Sequence, residues 1–138
     1  MNLMSLVTDN IVEILIKIIK FTQARQKILI QNIINVQNPE YIPKELEVIE
    51  FSHVLNNAID EHVQNQRLVL CDTENIKFGA GGNIELKPII DEQGIKLLEE
   101  NQDGYIVRQI NKLWENSLNQ KFAAELLRQK QGPAPIDC

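Results

Sequence analysis

Apolar residues recur along the first quarter of the chain in steps of three and four: Val7, Ile11, Ile14, Ile18, Phe21 and then Ile28. Such steps lay a seam along one side of a helix running from about Ser5 to Val36, of the kind that packs on a second helix in a coiled coil. Arg25 takes the next seam position, and Asn32 and Asn35 continue the register. The seam therefore turns polar before the helix ends. The β-branched residues between Ile28 and Ile34 have modest helix propensity, so this helix is expected to depend on a partner. A second stripe, Val107, Ile110, Trp114, Leu118, Phe122 and Leu126, marks a helix from about Tyr105 to Lys130, widened by Ile106, Leu113 and Leu127. The economical arrangement packs the two helices together, within one chain or between neighbouring chains.

The middle of the chain is less regular. Pro39 stops the first helix, because it lacks an N–H and pushes Asn38 out of the α region. Val48, Phe51, Leu55, Ala58, Ile59 and His62 then predict a shorter helix over Glu45 to Gln66. Gly79-Ala80-Gly81-Gly82 reads as a flexible break, and the alternation of Ile84-Glu85-Leu86-Lys87 as a short strand. Leu68–Cys71 is its candidate partner in a hairpin. Ile95, Leu97 and Leu98 suit one helical turn ahead of the turn signal Gln102-Asp103-Gly104. Gly132-Pro133-Ala134-Pro135 ends the last helix and leaves a tail expected to be disordered. The expected organisation is an N-terminal coiled-coil helix (1–37), a turn and second helix (38–66), a flexible central segment (67–104), a C-terminal coiled-coil helix (105–131) and a tail (132–138). The fold class is all-α, with a short β-hairpin as the candidate exception in the middle.

Composition narrows the chemistry. Apolar residues make up 43% of the 138 but aromatic residues only 5%, which favours contacts between helices over an aromatic pocket. The net charge of -5 leaves no basic face for phosphates, so nucleic acid is not an expected partner. Lys17, Lys20, Arg25 and Lys27 read as the solvated side of the first helix. The stretch Ile11–Phe21 is interrupted by Glu13, Lys17 and Lys20 and falls short of the ~20 apolar residues of a membrane span. It also lacks the basic start and small-residue cleavage site of a signal peptide, so these physical cues by themselves suggest a cytoplasmic protein without membrane insertion.

Candidate reactive groups are sparse. His53 and His62 are not at the i,i+4 spacing of a helical zinc pair. Cys71 and Cys138 carry no metal-ligand spacing and cannot form a disulfide framework. The carboxylate pairs Asp91-Glu92 and Glu99-Glu100 are expected to face solvent, with nothing nearby to tune one as an acid. The glycine run lacks the Lys-Ser/Thr that follows a phosphate loop. No enzyme activity, cofactor or metal is expected.

The most specific pattern lies at the first helix's exit: Asn32, Asn35 and Asn38, then Pro39 and Tyr41, with Phe51 beyond. It resembles the N-x-x-N-x-x-T-P-x-Y signature of flagellar axial proteins (rod, hook and hook-junction subunits). Asp103-Gly104, Val107, Glu115-Asn116-Ser117-Leu118, Leu126-Leu127 and Lys130 resemble the end of the FlgB family of proximal-rod proteins. That family reads D-G-N-x-V, then A-E-N-x-L-x-Y, then L-L-x-x-K-F. Glu40 replaces the family's glycine, a change that favours a type I turn or an extended exit. Tyr105 and Trp114 also depart from the pattern, marking a divergent member.

The resemblance implies a structural subunit of the flagellar basal-body rod, in the periplasm, exported through the type III apparatus without a cleaved signal peptide. Its partners would be other rod subunits, the MS-ring and export-apparatus end of the rod, copies of itself, and the export gate during secretion. Phe51 and Leu55 resemble the short element proposed to be read by that gate, and they also form an ordinary i,i+4 core pair. Ile11, Ile14, Ile18, Val107, Ile110, Trp114, Asn116, Leu118, Phe122 and Leu126 are the expected packing and assembly residues. For Trp114, both a packing anchor on the first helix and an intersubunit hot spot stay open. The alternative function is a cytoplasmic helical adaptor or export chaperone, which would share the acidic charge and amphipathic helices.

Overall fold

The computed structural model describes residues 3–79 and 83–131. Its organising element is α1 (Leu3–Ile34), which divides its surface between two neighbours. One side meets α4 (Gln102–Lys130) in the largest contact between any two elements. The two helices run antiparallel, because Thr22 lies against Asn116 while Asn32, a little under three turns on, lies against Gln109 and Tyr105. The other side of α1 enters the apolar core. There Phe21 joins Leu46, Phe51 and Ile76, with Ile18, Ile28 and Leu55 packed around them. The rings of Phe21 and Phe51 stack with centroids 4.0 Å apart, so the i,i+4 pair Phe51/Leu55 is part of the folded interior.

Between the long helices the described residues hold more regular structure than the pattern predicts. The mainly helical reading stands, with four helices and two small antiparallel pairs. Strand β1 (Lys44–Glu45) pairs with β4 (Ile89–Ile90), a contact that a two-residue strand could not announce by periodicity. Strands β2 (Ile76–Phe78) and β3 (Ile84–Leu86) form the hairpin. The expected strand near Ile84 is therefore present, but its partner is Ile76–Phe78 instead of Leu68–Cys71. Ile76 is almost wholly buried and fixes that choice, since pairing follows whichever strand can bury an apolar side chain. Helix α2 spans Val48–Asn65 and ends at Gln66, whose φ of 54° is the left-handed cap usual at helix ends.

Two caps explain the remaining differences. Asp91 accepts a hydrogen bond from the Gly94 N–H and starts α3 (Glu92–Glu100), nine residues where one turn was expected. Asn101 does the same with the Gly104 N–H and starts α4 three residues earlier than the stripe suggests. Asp91-x-x-Gly94 and Asn101-x-x-Gly104 are the same device used twice, a side-chain acceptor closing on the third residue of the helix. A Cβ on Gly94 would collide with the Asp91 carboxylate. The Gln102-Asp103-Gly104 turn signal is thus the first turn of a helix. Ala80-Gly81-Gly82, most of the expected flexible break, and the expected tail 132–138 lie outside the described residues.

Candidate assembly site

The axial-type motif folds into a compact node. Asn32 is fully buried and its side chain makes four hydrogen bonds. Its Nδ2 donates to the Lys44 carbonyl at 2.8 Å and to Gln109 Oε1 at 3.0 Å. Its Oδ1 accepts from the Tyr41 hydroxyl at 2.7 Å and from the Lys44 N–H at 3.1 Å. The Tyr105 hydroxyl donates to the Asn32 carbonyl at 3.2 Å. Burial, assisted by Tyr41 and Asp91, pushes the Tyr105 hydroxyl up to about 12 and keeps it a donor. Asn32 and Tyr41, nine residues apart, are therefore bonded to each other, and Gln109 and Tyr105 bring α4 to the same point.

The other motif residues shape the path between them. Asn35 donates back to the Gln31 carbonyl as the helix ends. The Asn38 carbonyl accepts from the Tyr41 N–H at 3.1 Å, and the Asn38 side chain accepts from the Glu40 N–H at 3.1 Å. Pro39 sits second in this turn, where its fixed φ is suited. Glu40 has no positive φ, which excludes a type II turn and agrees with the type I geometry expected from its side chain. Phe51 is not part of this node and lies in the core on Phe21.

Beside the node runs a chain of buried and half-buried charges that the sequence pattern did not predict. Arg25 makes a bidentate pair with Glu45, at 3.0 and 3.1 Å. Lys112 reaches Glu45 at 3.1 Å and Asp91 at 3.6 Å, and Arg108 approaches Asp91 at 3.9 Å. Arg25 and Asp91 are corrections to the expected solvated face and solvent-facing carboxylates. Both are buried, and Lys17 is buried with Glu13 beside it. An open cleft of about 900 Å³ lies over this network, but its central charges answer one another across α1, β1, α3 and α4. Burial alone would raise the Glu45 carboxyl, yet the Arg25 bonds and charge, the Leu46 N–H and Lys112 together hold it below the usual carboxylate range.

That depression carries a sign. The folded form favours ionised Glu45, so its contribution is complete above the unfolded value of about 4.5 and is lost as pH falls through the lower folded value. Glu45→Gln is expected to lower stability by about 1–2 kcal/mol at neutral pH. The gap to the parent should close below pH about 4.5. Urea unfolding of both proteins across that range measures it, and a gap independent of pH would remove Glu45 ionisation as its source.

The packing face of α4 is the main correction. Toward α1 it turns Tyr105, Gln109, Asn116 and Ala123, all buried, with Lys112 between them. Asn116 Nδ2 donates to the Thr22 backbone carbonyl at 2.7 Å. The apolar stripe points the other way: Val107, Ile110, Trp114, Leu118 and Phe122 are all exposed, Trp114 by 69% and Phe122 by 68%. Of the two readings of Trp114, the packing anchor on α1 is excluded within the single chain, where Tyr105, Gln109, Asn116 and Ala123 form the buried side of α4. Of the remaining packing candidates, Ile14 and Asn116 are buried, and Ile11, Ile18 and Leu126 are half-buried.

Phe122 also borders a groove of about 340 Å³ shared by α1, α2 and α4, lined by Leu15, Phe51, Leu55 and Leu126. The polar face that the stripe concealed was signalled only by the amides Gln109 and Asn116, seven residues and so about two turns apart on one side of α4. His53 and Cys71 are exposed, and His62 meets the Asn10 amide at 3.2 Å. Among the described residues no cluster of His, Cys, Asp and Glu could hold a metal, and no helix is long and apolar enough to cross a membrane. No protein-family model, curated protein or solved structure matches the chain.

Proposed function

We propose that the protein is a structural, self-assembling subunit of the flagellar basal-body rod, of the proximal-rod type. The observation that carries this reading is the continuous apolar stripe of α4, exposed from Val107 to Phe122 on a helix whose other side is already occupied. Contiguous apolar surface of this extent marks an interaction site, since water-facing helices do not keep five large apolar residues in register otherwise. The axial-type motif supports the same reading, because Asn32 and Tyr41 are spent on fixing the exit of α1 against α4. In the rod, that antiparallel pair acts as the coiled-coil unit and the stripe meets neighbouring axial subunits. Phe51 is buried and Leu55 half-buried, so an export gate reads them only on the unfolded chain, which is the form that passes the export channel.

A second reading, a helical adaptor or export chaperone in the cytoplasm, draws on one observation. The polar bonds between α1 and α4 lock the ends of the fold within a single chain, with no need of a neighbour. The stripe would then bind a client. Mass spectrometry of purified hook–basal bodies, alongside cytosolic and periplasmic fractions, decides between them. Stoichiometric recovery in the basal body is expected, and a strictly cytosolic protein in motile cells would replace the rod reading with the adaptor.

A further inference from the structure

A second exposed apolar ridge lies on α2. Ile49, Ile59 and Val63 are exposed by 72%, 43% and 69%, and the helical repeat puts them on one face with Ser52 and Asn56 between. The opposite face of α2 holds Phe51, Val54 and Ala58 in the interior. At 1.5 Å per residue the ridge from Ile49 to Val63 is about 21 Å long, and the α4 stripe from Val107 to Phe122 about 22 Å. The two faces match in length, the α2 ridge being apolar at both ends and polar at Ser52 and Asn56 between, and they are separate surfaces of the same molecule.

We infer that the α4 stripe of one copy packs along the α2 ridge of a second copy, the two helices parallel. This rests on the assembly reading above and names its partner surface. Aligned in parallel, Val107 falls beside Ile49, Leu118 beside Ile59 and Phe122 beside Val63. Trp114 then lies over the smaller side chains of Ser52 and Asn56, where a large ring has room. Charge selects this direction. Lys121 lies on the stripe and Asp60 on the edge of the ridge, and neither enters an ion pair among the described residues. The parallel alignment brings them within one helical turn of each other. The reverse alignment sets Asp60 beside Ile110, where Arg108 and Lys112 are already paired, and brings Lys121 level with Glu50 on the flank of α2, so only the parallel alignment answers Asp60.

Because the two surfaces differ, the contact is heterologous. Each added copy leaves one free stripe and one free ridge, so the arrangement grows into an open chain or a ring instead of closing as a two-fold dimer.

Two experiments on the full-length protein test it. Trp114 is replaced by p-benzoyl-phenylalanine, the sample is illuminated, and the crosslinked peptides are identified. Crosslinks to residues 48–65 of a second copy are expected; crosslinks to α4 of the second copy, or none between copies, overturn the inference. Sedimentation velocity is then run on Asp60→Lys, Lys121→Asp and the double variant. Each single change is expected to weaken self-association about fivefold and the double to restore most of it. Single variants that associate like the parent, a double no better than the singles, or a parent that stays monomeric at every concentration would each refute the contact. Recovery in basal bodies without α2 crosslinks would leave the rod reading standing and remove this one. Crosslinks in a protein absent from basal bodies would do the reverse.

Discussion

Replacing Asn32 with alanine is expected to destabilise the fold by about 3–4 kcal/mol. The deletion strands the Lys44 N–H and C=O, the Tyr41 hydroxyl and Gln109 Oε1, all of which now rely on one side chain. Gln109 already has one amide nitrogen without a partner, so it has no slack to reorganise. Water cannot readily substitute at Gln109 Oε1, because Asn32 and Gln109 are fully buried. Asn32→Asp is expected to be nearly as harmful. It keeps the acceptor but turns the donor toward two acceptors into a buried negative charge. Asn35→Ala, whose side chain bonds only within the last turn of α1, serves as the control and should cost under about 1 kcal/mol. Chemical denaturation of the three variants gives the comparison. A small loss at Asn32 would mean that the exit of α1 is held by the apolar core alone.

The sequence made α1 and α4 legible as helices because each carries more than five turns of periodic apolar positions. It misled about which face of α4 is inside. Apolar periodicity reports a face that avoids water without saying whether the partner belongs to the same chain. Here the intrachain partner is reached by Tyr105, Lys112 and Asn116, whose polar ends each find an acceptor or a charge, and by Gln109, whose Oε1 accepts from Asn32. Such a face has no hydrophobic signature, so it becomes visible only when α1 places Thr22 and Asn32 opposite. The β1–β4 pair was hidden for another reason. Two residues show no period, and their pairing follows from the caps and charges around them: Glu45 held by Arg25, Asp91 closing α3 and bonding its N–H to the Pro43 carbonyl. The motif at 32–41 was the most readable feature, since proline, a turn and three asparagines constrain the backbone directly.

A helix pair closed by hydrogen bonds and ion pairs has a specific register, because a shift of one residue leaves buried donors and acceptors unpaired. An apolar seam at the same place would tolerate sliding and would compete with the exposed stripe for partners. Polar residues inside and apolar residues outside separate the two tasks: one face fixes the fold of the single chain, and the other remains available for association. The buried charges across Arg25, Glu45, Lys112 and Asp91 serve the first task, tying β1 and the start of α3 to both long helices.

That separation makes Trp114→Ala the most telling substitution for association. Trp114 touches solvent over most of its surface, so alanine, a better helix former, should leave the stability of the dilute monomer within about 0.5 kcal/mol. Association should fall at least about tenfold, because a large aromatic at the centre of an apolar patch is where interface energy concentrates. On the rod reading proposed above, export of the unfolded chain should be unchanged, since the ring has no folded surface to present there. Thermal melting at low concentration, sedimentation at high concentration and the secreted amount in cells give three independent readings of one variant. Loss of association with intact folding and secretion is the expected pattern. If melting instead drops by many degrees, Trp114 belongs to the interior of a single chain, and the outward stripe can no longer carry the assembly reading.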